Sequence, residues 1–218
     1  MRNTWIRRIS AIRKDGVESA INLTCGLNCI IGASNTGKTR IAKTVEFACG
    51  GKELPFTDKT AYEIAQVTFV TNGGEVSLSR SIHVQNTIHV KSSNPMIVPG
   101  SYSVSSRAGK SINTVLLALL GVESTRRIAT NETYHTVAFT WNAIRHLMIV
   151  PEDQIGRARP SILFPKSTSL ATLTQSLSSL LVLVQDEKST TPYRQRVPAN
   201  VTPAEKPWNS SSISSWMI

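Results

Sequence analysis

Residues 27–43 read "LNCIIGASNTGKTRIAK", and within them Gly32 to Thr39 fits the pattern G-x-x-x-x-G-K-[ST]. That spacing belongs to a loop whose backbone amides close round a polyphosphate, with glycines where a Cβ would stand in the way. Gly32, Ala33, Ser34, Asn35, Thr36 and Gly37 then form the cradle. Lys38 would reach the β- and γ-phosphates, and the Thr39 hydroxyl is placed for Mg²⁺. The flanks agree. Leu27 to Ile31 is an apolar run of strand length, which predicts a buried central strand over residues 28–31. Ile41, Val45, Ala48 and Cys49 recur at helical spacing. They predict a helix over residues 37–49, ended by Gly50-Gly51, whose N-terminal amides face the anion. ATP with Mg²⁺ is the expected cofactor.

Outward from the loop, "TWIRRISAI" and "ESAINLT" read as two strands joined at Asp15-Gly16. On the other side, Val67, Phe69, Val76 and Leu78 alternate with polar residues about Asn72-Gly73-Gly74, a hairpin signature. Residues 91–110, rich in Ser, Pro and Gly, read as a loop. Ser111 is placed to cap a helix "INTVLLALL" that Gly121 closes. A further helix is expected over residues 136–150, with Val137, Trp141, Ile144 and Met148 on one face. After the Pro-bounded loop "PEDQIGRARPSILFPK", Leu170, Leu173, Leu177, Leu180, Leu181 and Val184 return to helical spacing. Residues 186–218 are rich in Ser, Thr and Pro without periodicity, so the expected division is a folded unit over 1–185 and a disordered tail.

Bulk properties narrow the function. The 218 residues suffice for one good core, and 40% hydrophobic content suits a water-soluble globule. No apolar run approaches the roughly 20 residues of a membrane span, and the basic N-terminus lacks a signal-peptide core. Cys25, Cys29 and Cys49 form no C-x-x-C pair and are expected as small core residues in a reducing cytoplasm. The four histidines (His83, His89, His135, His146) show no zinc spacing. A net charge of +10 points to a polyanionic partner, DNA in particular, although the cations are spread along the chain.

The order of parts resembles the N-terminal head lobe of the structural-maintenance-of-chromosomes (SMC) ATPases and the related SbcC-type repair ATPases. Two strands lead into the loop, and "IAQVTFVTNGGEVSLSR", ending at Arg80, matches the hairpin that follows the loop helix in that family. The resemblance covers residues 4–90 closely and 110–185 loosely. It implies an α/β P-loop NTPase fold with an antiparallel β flank and a helical C-terminal part. It also implies a glycine where Asn35 stands, and Asn tolerates left-handed φ better than other non-glycine residues. The glutamine that senses Mg²⁺ and the γ-phosphate would be Gln154 in "MIVPEDQI", with Glu152 as the other candidate.

The same resemblance implies parts that the chain does not carry: a long coiled coil, an L-S-G-G signature and a C-terminal lobe with a Walker B Asp-Glu. "LLVLVQDE" (Leu180 to Glu187) offers Asp186 and Glu187, yet Gln185 interrupts the run and the leucines have helical period. The expectation is therefore half of an ATPase site, truncated from a longer protein, working on DNA as a homodimer or with a missing C-terminal lobe. Two other classes compete. A self-contained P-loop NTPase or small-molecule kinase would need a Walker B strand at Leu180–Val184. A non-catalytic nucleotide-responsive DNA-binding module would need no turnover.

Overall fold

The structure, a computed structural model, describes residues 4–57, 60–105, 108–129, 135–150 and 170–184. Strand β1 (Trp5–Arg13) turns at Asp15-Gly16 into β2 (Glu18–Asn22). Gly16 takes φ 82°, and the Asp15 carboxylate accepts a hydrogen bond from the Val17 amide at 3.1 Å. The next hairpin, β3 (Tyr62–Thr71) and β4 (Gly74–Ser81), pairs Thr71 with Gly74 across the two-residue turn Asn72-Gly73. Val67 then faces Leu78 and Phe69 faces Val76, so the alternating residues meet on one face. β5 (Thr87–Ser92) and β6 (Gly100–Ser103) complete an antiparallel sheet of order β2-β1-β3-β4-β5-β6. Residues 91–110 are thus more than a loop: Ile97 and Tyr102 are buried there, and their burial orders the segment.

Helix α1 (Lys38–Ala48) lies on this sheet, burying Phe47 and Ala48 against Ala11, Ala65, Ile9 and Val67. Its end is a Schellman motif. Gly50 takes φ 94° and its amide donates to Phe47 O at 3.0 Å, while the Gly51 amide donates to Glu46 O at 2.8 Å. Helix α2 (Ile112–Leu119) is capped by the Ser111 hydroxyl, which accepts from the Asn113 amide at 3.2 Å, and Gly121 follows at φ 74°. It seals a core of Val76, Leu78, Ile88, Val90 and Leu116.

The rest departs from expectation at one point. Residues 136–150 are not a single helix: Thr136–Ala138 form β8, paired with β7 (Arg127–Ala129), and α3 is confined to Trp141–Met148. The amide of Phe139 donates to Arg126 O at 2.8 Å, which holds the chain in the ribbon before the helix begins. Val137 and Ile144 still join one cluster, with Phe139, Leu117 and Ile128. Helix α4 (Leu170–Val184) packs Val182 and Leu183 on that cluster. The expected tail over residues 186–218 lies outside the described residues. The chain is thus mixed α/β with an antiparallel sheet, and among the described residues no helix is long and apolar enough to cross a membrane.

Arg80 of β4 joins sheet to helix. It is 3% exposed, its Nη1 donates to Phe47 O and Gly51 O, both at 2.6 Å, and its Nε donates to Gln85 O at 2.8 Å. The guanidinium also lies 4.0 Å from the centre of the Phe47 ring. Charge-assisted bonds of this kind are worth about 1.5–3 kcal/mol, and Arg80→Met would leave three carbonyls without their donor. Urea unfolding of that variant is expected to show a loss of at least about 3 kcal/mol. An unchanged midpoint would mean that the tie is not structural.

Candidate phosphate-binding site

The chain leaves the sheet after β2, where the Leu23 amide donates to Arg7 O at 2.8 Å. It then closes on itself. Asn28 Oδ1 accepts from the Thr24 amide at 3.0 Å, while Asn28 Nδ2 donates to Thr24 O at 2.8 Å and Gly26 O at 3.0 Å. Residues 28–31 are therefore not the expected central strand. Among the described residues no strand lies beside them, and Leu27 and Ile31 are 98% and 89% exposed. Cys25 and Cys29 are exposed for the same reason, against the expectation of core residues, whereas Cys49 is buried.

From Gly32 the loop takes a definite shape. The Thr36 hydroxyl donates to Ala33 O at 2.8 Å, and a Cβ on Gly32 would stand 2.9 Å from that hydroxyl oxygen. Asn35 takes φ 61°, the left-handed conformation expected of the residue in the glycine position. Gly37 takes φ 92° at the N-cap of α1, and its carbonyl accepts from the Arg40 amide at 2.9 Å. No side chain caps this helix, so its first-turn amides are available to a ligand. Lys38 Nζ folds back over the loop, donating to Gly32 O at 2.8 Å and Ala33 O at 2.6 Å.

The loop and first helical turn, Ser34 to Arg40, line a cavity of about 590 Å³ that Thr39 borders. A second cavity of about 320 Å³ shares Thr36, Gly37 and Arg40 with it and runs under α1 to Phe56 and Tyr62. Those two rings lie 5.2 Å apart, and the Tyr62 hydroxyl shares a 2.7 Å hydrogen bond with that of Ser19. The residues of the G-x-x-x-x-G-K-T pattern are therefore brought together. A glycine where a Cβ would crowd, open amides and a cation folded over the loop suit a polyphosphate.

Gln154 and Glu152 lie outside the described residues, as do Asp186 and Glu187. Leu180–Val184 belongs to α4, so the strand that a self-contained NTPase would need there is a helix. Arg40, which borders both cavities, was not anticipated; its signal was only a cation two places after Lys38. Many cations elsewhere are paired, among them Arg7 with Glu75, Arg8 with Glu18, Lys43 with Glu53 and Arg145 with Glu46. Compared with known protein families and with curated proteins, the chain matches none.

The three thiols make a check on this geometry. Burial pushes the Cys49 thiol up to about 12, so it stays protonated and shielded at pH 8. Titration with a thiol-reactive disulfide at that pH is expected to modify Cys25 and Cys29 quickly and Cys49 only after unfolding. Slow modification of the first two would place residues 25–29 inside the fold.

Proposed function

We propose that this chain is the ATP-binding N-terminal lobe of an SMC/SbcC-like ATPase that serves DNA repair or chromosome maintenance. One observation carries the reading: Lys38 and the left-handed Asn35 and Gly37 shape a phosphate cradle at the uncapped head of α1. The antiparallel flank, with the Asn72-Gly73 hairpin ending near Arg80, has the order of parts that the resemblance implies. Lys38 would exchange two loop carbonyls for phosphate oxygens, and the amides that follow Gly37 would take the rest of the charge. Thr39 would hold Mg²⁺ together with phosphate oxygens, and the ion would supply charge neutralisation at the γ-phosphate. The second cavity, with Tyr62 and Phe56 on its wall, offers the base an aromatic surface next to the phosphates.

Hydrolysis needs a carboxylate to orient water, and none of the described side chains lining either cavity is an Asp or Glu. The lobe alone should therefore bind ATP–Mg²⁺ and turn it over very slowly, with a C-terminal lobe supplying what is absent. A DNA partner rests on the +10 charge alone.

Titration with a fluorescent ATP analogue tests the reading. Lys38→Ala removes a charge-assisted contact worth about 1.5–3 kcal/mol, so affinity should fall about 10- to 150-fold. Equal affinity in the two forms removes Lys38 from the site, and rapid phosphate release by the parent chain would reopen the self-contained NTPase.

A further inference from the structure

Arg40 stands where the two cavities of the phosphate site meet. Its amide donates to Gly37 O at 2.9 Å and its carbonyl accepts from the Thr44 hydroxyl at 2.7 Å, so its backbone is fixed in the first turn of α1. Two steps along a helix turn a side chain through about 200°, so Arg40 leaves α1 on a different side from Lys38. Lys38 folds over the loop carbonyls, whereas Arg40 borders the second cavity as well as the first. Thr36 and Gly37 are the other residues that the two spaces share. Arg40 is also the only charged side chain among the described residues lining the second cavity. Nearby cations have counter-ions, Lys43 in Glu53 and Arg8 in Glu18. Among the described residues the Arg40 guanidinium has none, and it donates to no carbonyl. An exposed cation commonly meets only water, but this one lies between a phosphate cradle and an aromatic wall.

We infer that Arg40 binds the α-phosphate of a nucleoside di- or triphosphate, and so makes the site select nucleotides over bare polyphosphates. The inference rests on the nucleotide reading and follows from the order of groups in such a ligand. With the terminal phosphates at Lys38 and the base beside Tyr62 and Phe56, the phosphate that carries the ribose lies where the cavities join. That place offers one positive side chain, and the phosphate brings the counter-charge it lacks. A guanidinium presents its donors in a planar fork, which suits two oxygens of one phosphate better than an ammonium does. The contact is common to ATP and ADP, since both keep the α-phosphate. Pyrophosphate differs, because its two phosphates occupy the places at Lys38 and Thr39 and leave the junction empty. Arg40 therefore adds affinity only for a ligand that spans both cavities.

Isothermal titration of the full chain with ATP, ADP and pyrophosphate, each with Mg²⁺, is the test. Arg40→Gln should lose about tenfold in affinity for ATP and ADP and hold pyrophosphate within about twofold. Lys38→Ala should lose affinity for all three. Arg40→Lys keeps the charge without the fork and should recover only part of the ATP affinity; it carries the comparison if Arg40→Gln unfolds. The ratio of ATP to pyrophosphate affinity is the readout, because a loosened fold or a weaker general field lowers both alike. ATP affinity unchanged in Arg40→Gln, beside a weakened Lys38→Ala, would overturn the inference and leave the nucleotide reading standing. An equal loss for ATP and pyrophosphate would do the same. A parent chain that binds neither ligand, or binds both no better than Lys38→Ala, would remove the nucleotide reading and this inference with it.

Discussion

The guanidinium of Arg80 is the tie on which the placement of the phosphate loop depends. It gathers the carbonyls of Phe47 and Gly51 at the end of α1 and that of Gln85, which is remote from them in the chain. Among the described residues no carboxylate pairs with this buried cation, which is unusual. Desolvation pushes its pKa down to about 10, which still leaves it protonated at neutral pH. What compensates is the negative end of a helix dipole, three carbonyl acceptors and the face of Phe47. Because α1 is a rigid rod of 11 residues, about 16 Å long, fixing its C-terminal end on β4 also fixes where its N-terminal amides point. The site at one end is held by a contact at the other.

At that N-terminal end Lys38 folds back over its own loop. Its ammonium covers the carbonyls of Gly32 and Ala33, which ties the loop's curvature to the first turn of α1. Under the proposed function, incoming phosphate would compete with these two acceptors rather than with bulk water alone, and a charge-assisted bond to an anion would be the stronger of the two. A larger cavity, about 830 Å³, lies elsewhere, at the C-terminal end of α1 beside Cys49, Gly50, Asn113, Trp141 and Arg145. Volume alone would direct attention there. Its Arg145 is already paired with Glu46 at 3.4 Å, however, and the cradle of open amides belongs to the smaller space.

Local chemistry made much of the fold legible in the sequence. Period-two alternation and Asn-Gly or Asp-Gly turns gave both hairpins, Ser111 and Gly121 gave the limits of α2, and Gly50-Gly51 gave the end of α1. Within the site, the glycine spacing and Asn35 could be read because φ near +60° to +90° is a demand on single residues. What escaped depends on neighbours remote in sequence. An apolar run over residues 27–31 says strand, but not whether another strand lies alongside. Thr136 to Ala138 fits either period over three residues, and only pairing with Arg127 to Ala129 decides it. Arg80 is visible as the last cation of a strand. Its burial follows from carbonyls that converge only in three dimensions.

The exposed run also explains why the antiparallel sheet can be complete while the phosphate loop is not. α1 spends its apolar face on the sheet through Thr44, Phe47 and Ala48, so a strand leading into it must find neighbours of its own. With no such neighbour among the described residues, the backbone bonds locally, with Asn28 bonded across to Thr24, and leaves Leu27 and Ile31 exposed. Each of those side chains forgoes about 1.5–3 kcal/mol that full burial would contribute. Under the proposed reading that free energy is recovered when the complementary lobe supplies a strand. The ordering of residues 27–31 would then stiffen the entry to Gly32 and reduce the entropy lost on closing the loop round phosphate. Nucleotide affinity and lobe association would thus be coupled through the same few residues, each favouring the other by the same factor.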